Sequence, residues 1–272
     1  MSRRRRGTGL VLAVAGLLGA CSTTVSTTTG PINEVQARTA GQQPETADPK
    51  RRAQVRMELA TGYFQRGQFD VALEEITRVL EIDPGASGAY NLRGLIRASQ
   101  GDEARAEEDF RQGLRVDPRD ADTMQNYAWF LCQRKRYAEA DAMFAQAVAG
   151  RNLRDAGRTL LAQGVCQANA GQLAEAERTL ARAFEIEPGN PSVAINLADV
   201  LYRRGDYDRA RFYVRRVNNQ PALVNAQTLW LAARIENRLG NQTGVQEIGR
   251  QLRARFGDTR EAVAFERGQF NE

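Results

Sequence analysis

A five-residue string returns at a fixed interval, and that interval limits the fold more than any other feature of the chain. Leu80-Glu81-Ile82-Asp83-Pro84 is followed by Leu114-Arg115-Val116-Asp117-Pro118, so Pro84 and Pro118 stand 34 residues apart. A third copy, Phe184-Glu185-Ile186-Glu187-Pro188, ends 70 residues after the second, which is two intervals plus two residues. The two extra residues fall around Gly150 to Ala156, in a copy without the proline. Self-similarity at this spacing marks an array of helix pairs rather than one globular core. Gly67, Gly101, Gly171, Gly205 and Gly240 suit the turn inside each pair, where a positive φ is cheap for glycine. Each proline stops one pair and opens the next.

The pattern between the prolines resembles the tetratricopeptide repeat. In the first copy Leu59, Ala60, Tyr63, Gly67, Phe69, Ala72 and Pro84 take the signature places, and in the second Tyr90, Gly94, Gly101, Ala106, Phe110 and Pro118. The third offers Ala128, Tyr137, Ala140, Phe144 and Ala147, and the fourth Gly164, Gly171, Ala176, Ala183 and Pro188. Asn196, Leu197, Ala198, Gly205, Tyr207 and Ala210 mark a fifth, and Leu229, Ala233, Gly240 and Val245 a weaker sixth. The fold class expected is all-α: a right-handed superhelix of about six helix pairs over residues 53–258, with residues 259–272 as a C-terminal cap. One hairpin cannot bury its apolar face alone, so stability would come from stacking neighbours.

The first twenty residues read as an export signal. Arg3 to Arg6 form a basic stub, Leu10 to Leu18 an apolar run, and Leu18-Gly19-Ala20-Cys21 closes it. The run falls short of the roughly 20 residues a membrane-spanning helix needs. The closing string resembles a bacterial lipobox, which implies a signal peptide over 1–20 and acylation of Cys21. Ser22 rather than Asp implies sorting to the outer membrane, with the body on its periplasmic face. Residues 21–52, rich in Thr and ending near Pro44 and Pro49, read as a lipid-anchored flexible linker. About 28 such residues would reach roughly 30 Å. Four of the 38 basic residues belong to the stub, leaving 34 against 33 acidic and a net charge of +1. A nucleic-acid partner is therefore not expected.

No enzyme is expected either. The chain has no His, which removes the common general base and the commonest metal ligand. It carries no phosphate-binding glycine loop and no Gly-x-Ser-x-Gly. No cofactor or metal is implied. Carboxylates such as Glu74-Glu75 and Glu107-Glu108-Asp109 read as solvated groups beside arginines. Cys132 and Cys166 lie in the first helices of successive pairs; they either form a disulfide, which an oxidising compartment permits, or are two small buried side chains. Recognition would fall on the concave face formed by the first helices. Its inward positions include Met57, Thr61 and Phe64, then Asn91, Leu95 and Ala98, then Gln125 and Trp129, turning polar at Asp199 and Arg203. Phe64 and Trp129 are either the aromatic anchors of a bound segment or ordinary core.

The combination of lipobox, Thr-rich linker and six repeats resembles the PilW/PilF family of type IV pilus biogenesis lipoproteins. Three strings sharpen this: Asn126-Tyr127-Ala128-Trp129-Phe130-Leu131-Cys132, Gly164-Val165-Cys166, and Thr228-Leu229-Trp230-Leu231-Ala232-Ala233-Arg234-Ile235-Glu236. Arg255-Phe256-Gly257-Asp258 departs from the family by lacking a Phe-Pro. The resemblance implies a Cys132–Cys166 disulfide and a pilotin-like role. In that role a monomer binds subunits of the pilus secretin, helps them localise and assemble in the outer membrane, and so supports pili and twitching motility. A generic envelope scaffold for peptidoglycan or division machinery would share anchor, linker and repeats.

Overall fold

The computed structural model describes residues 48–152 and 155–270, which lie in one compact body. Cys21, the expected signal peptide and almost all of the expected linker fall outside the described residues. Thirteen helices and no strand are present among the described residues. They pair as α1 (Pro49–Gln65) with α2 (Phe69–Ile82), α3 (Ser87–Ser99) with α4 (Glu103–Val116), and α5 (Ala121–Gln133) with α6 (Tyr137–Ala149). Then α7 (Ala156–Asn169) pairs with α8 (Leu173–Ile186), α9 (Pro191–Arg203) with α10 (Tyr207–Asn218), and α11 (Ala226–Arg238) with α12 (Gln242–Phe256). The short α13 (Arg260–Glu266) follows. The result is a superhelical stack of six tetratricopeptide-type hairpins.

Local signals set the helix limits. Asp48 accepts a hydrogen bond from the backbone N–H of Lys50, and Pro49 occupies the first turn, so α1 starts four residues ahead of the expected boundary at Ala53. Asp102, Asp120, Asn190, Asp206, Asn225, Asn241 and Thr259 cap later helices in the same way. Five pairs turn on a glycine with φ between +70° and +84°, but the third turns on Lys135 at φ 60°. That non-glycine turn costs about 1 kcal/mol, which the surrounding packing has to offset.

Small residues sit where the helices of a pair cross. Ala72, Ala106, Ala140, Ala176 and Ala210 are fully buried. At Gly94 an added Cβ would stand 2.9 Å from the Phe110 ring, and at Gly164 only 2.6 Å from Leu180. Either methyl would wedge its pair open. Leu59 departs from its signature role: it is 45% exposed, because among the described residues no hairpin precedes the first one to cover it.

The acidic strings also differ from expectation. Glu74 and Glu108 face solvent, but Glu75 and Asp109 are buried. Arg93 and Arg97 each approach the Asp109 carboxylate to 2.7 Å, and Arg56 and Arg78 hold Glu75 at 2.7 and 2.8 Å. These acids lie on the inward side of the second helix of their pair, where two guanidinium groups satisfy each carboxylate.

Candidate partner-binding groove

The first helices of successive pairs stand side by side, and the repeat register decides which side chains they share. Gln125, Leu161 and Trp230 each lie ten residues ahead of the positive-φ residue that ends their helix turn. Leu95, Trp129, Val165, Asp199 and Arg234 lie six ahead of theirs. Side chains in these rows face the same way from α3, α5, α7, α9 and α11.

In the middle of the stack the rows line an open cavity of about 350 Å³. Leu95 from α3, Trp129 from α5, and Leu161, Ala162 and Val165 from α7 supply its apolar wall. Gln125, Asn126, Arg158 and Asn196 place amides and a guanidinium at its border. Trp129 is 36% exposed, a large aromatic left open to the cavity. Gln125 is buried and fixed, its amide oxygen accepting from the Thr159 hydroxyl at 2.6 Å. The Asn126 amide donates to Asn91 at 3.1 Å, which tethers α5 to α3. Beside the cavity, Cys132 of α5 and Cys166 of α7 are joined in a disulfide with their Cα atoms 5.9 Å apart.

The sequence-predicted site residues thus divide. Leu95, Gln125 and Trp129 come together around the cavity, and Asn91 and Ala98 flank it from α3. Met57, Thr61 and Phe64 lie apart from it. Phe64 is half-buried, 6.0 Å from the Phe69 ring, and packs with Met57 on the core of the first hairpin. The Thr61 hydroxyl donates to the Met57 carbonyl within its own helix at 2.8 Å. Phe64 is therefore a core aromatic rather than an exposed anchor. Asn126, Arg158, Leu161, Ala162, Val165 and Asn196 were not foreseen as site residues; carrying the register rows on to α7 and α9 finds Leu161 and Val165.

Towards α11 the face becomes charged. Burial pushes the Asp199 carboxyl above its usual value, against the pull of Arg203, 3.8 Å away, and of Arg234. The Arg234 guanidinium lies over the Tyr202 ring at 4.4 Å. A larger cleft of about 710 Å³ opens elsewhere, between α6 and α8, and its aliphatic lining with Arg151, Arg178 and Arg182 includes no aromatic. Two of those arginines already have carboxylate partners, Asp122 and Glu175. Among the described residues no cluster of His, Cys, Asp or Glu is arranged to hold a metal, and no helix is long and apolar enough to cross a membrane.

Residues 87–220 match the tetratricopeptide-repeat family model. The type IV pilus assembly protein PilF of Pseudomonas aeruginosa is 27% identical over 231 residues, 84% of this chain and 91% of that protein. The crystal structure of PilW, described as a widely conserved type IV pilus biogenesis factor, superposes with a TM-score of 0.72 at 30% identity, covering 78% of this chain and 97% of PilW. The structure of Pseudomonas aeruginosa PilF gives a TM-score of 0.71 at 26% identity, covering 81% and 99%.

Proposed function

The chain belongs to the PilW/PilF family of tetratricopeptide-repeat proteins, and on that premise we propose that it acts in type IV pilus biogenesis as a non-catalytic adaptor for secretin subunits. It is anchored through acylated Cys21 to the periplasmic face of the outer membrane. It holds a secretin segment along its concave face, and so promotes localisation and multimer assembly of the secretin. The observation that carries this reading is the cavity beside Trp129, where an exposed indole and an aliphatic wall lie between side-chain amides. An extended segment or helix finds apolar anchorage and main-chain hydrogen bonds in such a place. Colocalising anchor and client raises their effective concentration without any new contact.

Deleting the gene is expected to abolish surface pili and to reduce heat- and detergent-resistant secretin multimers. Normal pili with a normal multimer would sink the proposal. At residue level, Trp129→Ala should keep the helical signal and melting behaviour while losing crosslinked secretin. Phe64→Ala should instead lower stability, because that ring is core.

A further inference from the structure

The far end of the concave face is already occupied by the chain itself. Past α13, Gly268 turns at φ +67° and the Gln269 N–H donates back to the Ala264 carbonyl at 3.0 Å. That reversal carries Phe270 across α11. Its ring stacks on Trp230, with centroids 5.4 Å apart and planes 30° apart, and Phe265 meets it edge-on at 5.5 Å. Its carbonyl accepts from the Tyr202 hydroxyl of α9 at 3.3 Å.

These partners are groove positions. Trp230 holds the register of Gln125 and Leu161, and Arg234 that of Leu95, Trp129 and Val165, all of which line the central cavity. Tyr202, three residues ahead of Gly205, holds the register of Phe64 and Ala98. Covering the end of the stack does not require Phe270. That is done by α13, whose Ala262 is buried and whose Phe265 ring lies so close over Gly249 that an added Cβ there would come within 2.3 Å. One donor at this end is also left open: the Arg234 Nε is buried without an acceptor among the described residues.

We propose that the α9–α11 end of the groove is a binding site for an aromatic residue of an extended chain, filled in cis by Phe270, and that a client segment of the same chemistry must displace it. The recognition elements are the Trp230 face for the ring, the Tyr202 hydroxyl for the adjoining carbonyl, and Arg234 for a further acceptor. Because the segment is joined to α13 by a few residues, its effective concentration at the site is on the order of millimolar. A weak intrinsic contact therefore keeps the site closed, and it opens to a competitor of moderate affinity. This inference rests on reading the concave face as the binding face.

The chain has two tryptophans, so 5-fluorotryptophan labelling of the full chain gives two fluorine signals, assigned with Trp→Phe variants. Phe270→Ala is expected to shift the Trp230 signal and leave Trp129 in place, with α13 retained. A synthetic peptide of residues 267–272 should reverse that shift in the variant at roughly 0.1 mM, and should need about tenfold more to act on the parent chain. An unshifted Trp230 signal in Phe270→Ala would overturn the proposal. So would a Trp230 signal in the variant that ignores roughly 10 mM peptide, or equal sensitivity in parent and variant. If the peptide moves Trp129 instead, the closed end is refuted while the central groove stands, which separates this failure from failure of the functional reading.

Discussion

The joint between the second and third hairpins and the joint between the third and fourth do the same job by different means. The first has a four-residue connection, 117–120, and aromatic packing: Phe110 stacks on Tyr127 at 5.6 Å and tilts against Phe130 at 5.5 Å. The Tyr127 hydroxyl donates to Glu107 at 2.8 Å and accepts from Arg111, while Arg136 reaches the same carboxylate at 2.8 Å. The second joint has a six-residue connection, 150–155, and no aromatic pair crosses it among the described residues. Cys132, Ala140 and Phe144 of the third hairpin share a core with Cys166 of α7, Val148 of α6 packs on the aliphatic cluster of Ala156, Leu160, Ala183 and Val193, and the wide cleft opens beside it. Here the Cys132–Cys166 bond ties α5 to α7. Where the connection is two residues longer, a covalent link joins the inner helices. The groove wall carrying Trp129 and Val165 stays in register across this joint.

The comparison breaks most directly at Phe110. Phe110→Ala should cost about 3–5 kcal/mol, since the ring is fully buried and also fills the space over Gly94. Denaturant melts should show this loss; a cost under about 1 kcal/mol would mean that aromatic packing does not hold the first of these joints. Next comes the disulfide. Replacing both cysteines with serine opens a link that closes 34 residues and should cost roughly 3–4 kcal/mol. Hydrogen exchange should then quicken in α7 and α8 with α3 and α4 unchanged, whereas uniform quickening would contradict a local staple.

The smallest effect is electrostatic. Burial alone would raise the Glu107 carboxyl, but the Arg136 and Tyr127 hydrogen bonds and the charge of Arg111 outweigh it, so it titrates below its ordinary value of 4.5. A lowered native pKa means the unfolded chain takes up the proton first. The stabilisation is complete above about 4.5 and is lost as the pH falls through the lower native value. Glu107→Gln should therefore lose about 1 kcal/mol at neutral pH. Its stability should then fall less steeply than the parent's between about pH 5 and pH 3. Parallel curves for parent and variant would remove the network from the account.

Much of this was legible in the chain, because a strict period encodes both the helix pair and the face each residue takes. The spacing of Pro84, Pro118 and Pro188, the turn glycines, and the inward rows containing Leu95, Gln125 and Trp129 all follow from local geometry. A period cannot say which neighbour arrives on a given face. Leu59 and Tyr127 hold the same register, eight residues ahead of Gly67 and Lys135, yet Leu59 is 45% exposed and Tyr127 only 5%. The difference is that a preceding hairpin packs on the second of them.

For the same reason tertiary structure alone decided that Asp109 is buried between two arginines and that Phe64 joins the first core while Trp129 stays open. The Cys132–Cys166 bond and the placement of Phe270 on Trp230 were settled there as well. Helix and face are set by residues three and four apart, whereas burial, pairing and closure are set by segments tens of residues away that meet only when the repeats stack.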